Sequence, residues 1–173
     1  MDHRSAALRD IIKTLVIRSA RVTMHPGRRV VIPKEVLRDI VEHAREEAPR
    51  EACGLLLGSS EGSDVVIKVN YRAENVSESE FLYEVSPYDI YRALKEAESS
   101  GMELVGVYHS HPLGEPIPSP IDVERAVPGL VYLIVSRGDL RAFELVEGEL
   151  REVEVSIDGG DPPASINPSA PRT

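Results

Sequence analysis

The sequence predicts an α/β domain with a mixed sheet and two or three helices, and three patterns carry that expectation. Val36, Leu37, Ile40, Val41 and Ala44 recur at helical spacing between residues 33 and 48, one apolar stripe that Pro49 stops. Short apolar runs bounded by glycine, proline or polar residues recur along the rest of the chain and read as strands. Ser86-Pro87-Tyr88-Asp89 opens a second helix, to about residue 99, with Ser as N-cap, Pro at the first helical position and Asp at the third.

In chain order, Leu8, Ile11, Ile12 and Leu15 give a short amphipathic helix over 5–15, an appendage that packs on the domain or on a partner chain. Residues 15–24 have strand character and Gly27 marks a turn. Residues 30–32 form a strand ending at Pro33, ahead of the main helix. The run 53–58 reads as a central strand and 65–69 as another. Residues 74–86 are polar with Phe81, Leu82 and Tyr83 embedded, a loop or an edge strand. Leu104-Val105-Gly106-Val107-Tyr108 reads as a buried strand, and Ser119-Pro120-Ile121-Asp122 repeats the helix-start signature. Strands over 130–135, 140–146 and 150–155 follow, with Gly138 and Gly148 in the turns. The chain thus divides into an extension over 1–25, one domain over 26–157, and a tail over 158–173 whose Gly, Pro and Ser predict disorder.

Composition narrows the function. A formal charge of −9, from 29 acidic against 20 basic side chains, argues against a nucleic-acid binder, which needs a basic face. The single cysteine, Cys53, excludes an internal disulfide and fits a reducing compartment. No apolar run reaches the roughly 18 residues of a membrane span, and the N-terminus lacks a signal-peptide core. The expectation is a cytoplasmic protein without membrane or nucleic-acid partners. Glutamine is absent and asparagine occurs only at 70, 75 and 167, which leans towards a heat-adapted prokaryotic source.

Chemistry concentrates in His109-Ser110-His111-Pro112-Leu113-Gly114-Glu115-Pro116-Ile117-Pro118-Ser119-Pro120-Ile121-Asp122. His109 and His111 stand two apart at the end of a strand, so both imidazoles face the same side. A third ligand from a nearby turn would leave one position open, the arrangement catalytic zinc uses to hold the water it activates. Either histidine alone reads equally well as a hydrogen-bonded core residue. Ser119 and Asp122 read equally well as plain helix-start chemistry, because Ser86 and Asp89 copy the pattern with no histidine nearby. Pro112, Gly114, Pro116 and Pro118 make a stiff loop able to bring that helix start back to the strand end.

At this point the sequence resembles a known family. The order His109, Ser110, His111, Ser119, Asp122 matches at every position the JAMM (MPN-plus) metallopeptidase motif H-[ST]-H-x(7)-S-x(2)-D. Residues 51–58, EACGLLLG, resemble the family's upstream segment with its glutamate at Glu51, and 131–135 with 140–143 resemble its closing strands. The resemblance covers about residues 30–156. It implies the MPN (JAMM) fold, a mixed curved sheet flanked by two main helices, with the metal site at a strand end and a short helix start. It further implies one Zn2+ per chain, held by His109, His111 and Asp122. Glu51 would be general base and acid, and Ser119 the hydrogen-bond donor to the developing oxyanion. Ser110, on the opposite strand face, reads as structural.

The implied activity is a zinc metallo-isopeptidase that removes ubiquitin or a ubiquitin-like modifier from lysine, with a proteasome-like assembly as a further partner. Residues 74–86 would meet the modifier's extended tail by strand addition. The short link Ala126-Val127-Pro128-Gly129 replaces a longer insertion found in eukaryotic members. A peptidase trimming the C-terminus of a ubiquitin-like sulfur carrier would use the same site, and a metal-stabilised scaffold is the non-enzymatic rival. His109, His111 and Glu115 also spell a cupin-like HxHxxxE, against which the helices weigh. A cysteine peptidase built on Cys53 conflicts with that residue's apolar strand. A link to DNA, as in one distant branch of the superfamily, conflicts with the acidity of the chain.

Overall fold

A computed structural model describes residues 28–158, together with Asp10 and Thr14. The helix expected over 5–15 and the strand over 15–24 therefore fall outside the described residues, apart from Asp10 and Thr14, which are both helical; so does the tail beyond Asp158, which itself ends a strand.

Strands β1 (Arg29–Pro33), β2 (Cys53–Glu61), β3 (Asp64–Ala73), β4 (Glu103–Ser110), β5 (Val131–Ser136), β6 (Asp139–Val146) and β7 (Glu149–Asp158) are joined with helices α1 (Lys34–Glu47), α2 (Pro87–Ser100) and α3 (Pro120–Arg125). The sheet is mixed, in the order β1-β3-β2-β4-β5-β6-β7. It curves until β7 pairs in parallel with β1 and closes it into a barrel, with Val30 against Val155. β1–β3 and β4–β5 are also parallel, and the remaining ladders are antiparallel.

Two apolar layers hold the sheet. The predicted stripe of α1 packs with Leu56, Ile67, Val105, Tyr108 and Leu133 on one face. On the other, Ala93 and Ala97 of α2 pack with Leu55, Leu57, Ile134 and Phe143. β2 shows the alternation directly, since Leu56 meets α1 while Leu55 and Leu57 meet α2. The β2–β4 register skips Val105, pairing Leu56 with Gly106 and then Leu57 with Leu104. That bulge re-phases β4, so that Val107 faces the α2 layer and Tyr108 the α1 layer.

The hairpins use left-handed residue pairs. Arg137 (φ 49°) and Gly138 (φ 82°) link β5 to β6, and Glu147 (φ 51°) and Gly148 (φ 79°) link β6 to β7. Positive φ at both central residues matches the twist of the flanking strands. The segment 74–86 is a loop closed by one isolated bridge, Asn75 to Val85, which resolves the loop-or-strand alternative. Ser86 occupies the N-cap of α2 as expected, but its side chain makes no cap bond. Asp89 instead accepts the Glu74 N–H at 2.8 Å, so the expected capping box is not formed there.

Tyr108 fastens β2 to β4. It pairs with Gly54, and a Cβ at Gly54 would lie 2.2 Å from the Tyr108 ring. The phenol meets His43 Nδ1 of α1 at 2.8 Å in a buried contact. Gly54→Ala is therefore expected to destabilise the fold by about 1–3 kcal/mol through overpacking, read by chemical denaturation. Gly148→Ala, facing open space but at positive φ, should cost less.

Candidate active site

The site sits where β4, the start of β2 and the start of α3 meet. Cys53 pairs with His109 in the antiparallel β2–β4 ladder, and the same register carried outward sets Glu51 opposite His111. The ladder continues past the strand end, as the Ser110 N–H donates to Ala52 C=O at 3.0 Å. The Ala52 N–H returns a bond to Ser110 Oγ at 2.8 Å, so Ser110 does the structural work expected of it. The His111 N–H donates to Val135 C=O at 2.9 Å, anchoring the chain just beyond β4.

His109, His111 and Asp122 converge. Their ligand atoms lie close together: His109 Nε2 to His111 Nε2 is 3.0 Å, and Asp122 Oδ2 is 3.3 Å and 3.5 Å from those two nitrogens. Three donors about 2.0–2.2 Å from a tetrahedral zinc would stand roughly 3.3–3.5 Å apart, so the triangle fits that ion to within a few tenths of an ångström. His111 Nδ1 donates to the Glu115 carbonyl at 2.9 Å, which leaves the lone pair on Nε2 directed at the cluster. His109 is oriented by stacking on Tyr83, with ring centroids 4.3 Å apart and planes 20° apart. Its Nδ1 has no hydrogen-bond partner among the described residues.

Asp122 is also the third residue of α3 and closes a full capping box with Ser119. Asp122 Oδ2 accepts the Ser119 N–H at 2.8 Å, and Ser119 Oγ accepts the Asp122 N–H at 3.2 Å. The helix-start geometry is thus formed in full while Asp122 also faces the two imidazoles. Accepting through a lone pair leaves the Ser119 hydroxyl proton available to another group. The stiff loop before α3 is fastened by Ser136 Oγ donating to the Gly114 carbonyl and by Arg137 donating to that of Leu113 at 3.2 Å.

The electrostatics separate the two acids. Burial opposes ionisation of Asp122, but both imidazoles and the Ser119 N–H outweigh it and hold the carboxyl well below the usual range. Glu51, 8% exposed, is pushed up to about 7 by burial, with His111 opposing and Asp122 adding to the rise. Burial lowers the His109 pKa, whereas for His111 the Asp122 and Glu115 oxygens overcome burial and raise it. Cys53 is fully buried and its thiol is pushed up to about 12 by burial, as befits a packing residue. Among the described residues the metal-capable group is His109, His111 and Asp122, without the Glu115 side chain of the cupin-like reading.

Residues 33–146 match the family described as prokaryotic homologs of the JAB domain. The chain belongs to this family. Over 126 residues the JAB chain is 41% identical to a desampylase of Haloferax volcanii, covering 69% of this chain and 89% of that one. It is 34% identical over 118 residues to a probable TtuB-protein conjugate cleaving protease of Thermus thermophilus, covering 68% and 77%. A CysO-cysteine peptidase of Mycobacterium tuberculosis is 32% identical over 134 residues, covering 74% and 90%. The solution structure of a protein from Desulfitobacterium hafniense superposes with a TM-score of 0.70 at 28% identity, covering 76% of this JAB chain and 94% of that one.

Three contributors to the JAB site were not anticipated. From sequence Tyr83 reads as an apolar residue in a polar segment, while Asn75 and Arg125 carry no functional signal. Arg125 donates to the Tyr83 carbonyl at 2.9 Å and ties α3 to the 74–86 loop. A lone aromatic run in a polar stretch was the available signal for Tyr83. The bond from Asn75 to the Glu51 carbonyl spans 24 residues and that from Arg125 to the Tyr83 carbonyl spans 42, distances that no local pattern reveals.

The metal-free protein offers a direct check on Glu51. A carboxyl raised from 4.5 unfolded to about 7 folded binds its proton more tightly when native. Its contribution to stability is full below 4.5 and is lost as pH rises through 7. Glu51→Gln should therefore stabilise the metal-free protein by roughly 1–3 kcal/mol at pH 8 and by little at pH 4, read from denaturation curves. A second check is calorimetric: zinc should bind at one ion per chain and raise the melting temperature. Asp122→Ala should weaken that binding by at least about 100-fold and lower stability by a further ~1 kcal/mol through loss of the capping box.

Proposed function

We propose that this JAB protein is a zinc-dependent isopeptidase that releases a ubiquitin-like modifier from lysine side chains of conjugated proteins. The observation carrying the reading is the convergence of His109, His111 and Asp122 on one point, with the buried Glu51 set opposite His111 by the strand register. The relatives named as desampylase and as TtuB-protein conjugate cleaving protease support the substrate class. Their names refer to cleavage alone, so the proteasome-like assembly is not carried forward as a partner. The catalytic unit of this reading spans residues 26–157. No helix among the described residues is long and apolar enough to cross a membrane.

His109 and His111 would hold the ion through Nε2 and Asp122 through Oδ2, a nitrogen–nitrogen–oxygen set that suits zinc. Zinc, when bound, supplies a Lewis acid that polarises the scissile carbonyl and makes water acidic near neutral pH. The Glu51 carboxylate takes the proton that the attacking water loses, then passes it to the lysine amine as the carbon–nitrogen bond breaks. The Ser119 hydroxyl donates to the carbonyl oxygen as negative charge builds on it. The loop over 74–86 would receive the modifier's extended C-terminal tail.

The second reading, trimming the C-terminus of a ubiquitin-like sulfur carrier, uses the same residues and finds support in the relative named CysO-cysteine peptidase. The two are separated by offering a lysine-linked conjugate and a C-terminally extended modifier side by side. Preferential release of lysine would favour the first. Glu51→Gln should lower kcat by about 100- to 10,000-fold with zinc content unchanged. A scaffold role would be indicated instead if chelation or Glu51→Gln altered partner binding but no hydrolysis of either substrate occurred.

A further inference from the structure

The peptide unit that follows Glu51 is held at both ends. Its N–H, from Ala52, donates to Ser110 Oγ at 2.8 Å, from the strand that carries the histidines. Its carbonyl, from Glu51, accepts Asn75 Nδ2 at 3.0 Å, from the loop on the other side. Pinning both ends of one planar unit removes rotation about the Glu51 Cα–C bond, and with it one way for the side chain to swing.

Asn75 satisfies all the capacity of its amide in doing so. Nδ2 also donates to the Leu82 carbonyl at 3.1 Å, while Oδ1 accepts the N–H groups of Ser77 and Glu84, each at 3.0 Å. Two donors and two acceptors arranged in one plane are available from Asn or Gln side chains and from no other type. Arg50, the residue before Glu51, donates to the carbonyls of Asn75 at 3.3 Å and Ser77 at 2.6 Å. The loop and the segment bearing Glu51 are thereby a single hydrogen-bonded unit.

We infer that Asn75 is a positioning residue: through the Glu51 carbonyl it holds the Glu51 carboxylate against the His109–His111–Asp122 cluster. The inference rests on the proposed role of Glu51 as base. It makes the 74–86 loop part of the catalytic framework as well as a surface for substrate.

The test compares Asn75→Ala with Asn75→Asp in the zinc-loaded full chain, alone and combined with Glu51→Gln. Asp keeps the acceptor for Ser77 and Glu84 but loses both donors. Both variants should lose about 10- to 100-fold in kcat, the scale of a misplaced catalytic group, on a modifier–lysine conjugate. Zinc affinity, from competition with a chromogenic chelator, should stay within about threefold of wild type, because Asn75 touches none of the ligands. In the Glu51→Gln background, followed by single turnover with enzyme in excess, the Asn75→Ala cost should shrink to about twofold, since the residue it acts through is already disabled. A full cost persisting there would overturn the inference, as would an Asn75→Asp enzyme at wild-type rate. Loss of zinc in both Asn75 variants would overturn it too. Wild-type activity in Glu51→Gln would instead sink the base assignment. An inactive Glu51→Gln beside fully active Asn75 variants would sink the role of Asn75 alone.

Discussion

Everything at the site depends on the pairing of Cys53 with His109 across β2 and β4. Side chains alternate along a strand, so a slip of one residue would turn Glu51 away from the imidazoles and bury Ser110 in their place. The register is set one residue further in, where Tyr108 fills the space left by Gly54 and reaches His43 on α1. The ring can lie there because glycine has no side chain, and the phenol has a buried partner because α1 presents one. The α1 core is thus what aligns the acid with the histidines, from the face of the sheet opposite to them.

The elements that sequence revealed are those whose determinants are local. The α1 stripe, the Val- and Leu-rich strands and the Gly138 and Gly148 turns each follow from residues within a few positions of one another. The ligand set was legible for a related reason, since three of its members lie within 14 residues along one strand, one stiff loop and one helix start. Closure of the sheet was not, because the β1–β7 pairing joins residues more than 120 apart, such as Val30 and Val155. Nor was the framework around Glu51, where Asn75, Tyr83 and Arg125 act through contacts formed after the chain has folded. Glu51 itself was identified by resemblance, and the register explains physically why an acid at that position faces the cluster.

Ser86-Pro87-Tyr88-Asp89 and Ser119-Pro120-Ile121-Asp122 show how far a local signature reaches. Both start a helix, yet only the second forms the capping box. At the first, the Glu74 N–H lies within reach and takes the carboxylate, so the cap is forgone for a bond that closes the loop. At the second, the box holds Asp122 by its own backbone partners, and the same oxygen remains turned towards the imidazoles. A side chain fixed by its own helix start needs no further support to stay aimed, so capping and orientation towards the imidazoles come from one geometry.

The same pocket drives two carboxyl groups in opposite directions. Asp122 is kept ionised by the N–H and imidazole groups around it, whereas Glu51, equally buried, meets fewer compensating groups and has Asp122 as a repulsive neighbour. A ligand to a cation has to be an anion throughout, while a group that accepts and returns a proton has to find both states accessible. Burying two carboxylates together is costly unless each finds compensating partners, and here only Asp122 does. The environments alone thus set the two acids apart: the carboxyl with the most hydrogen-bond donors is held as an anion, and the one with the fewest keeps a raised pKa.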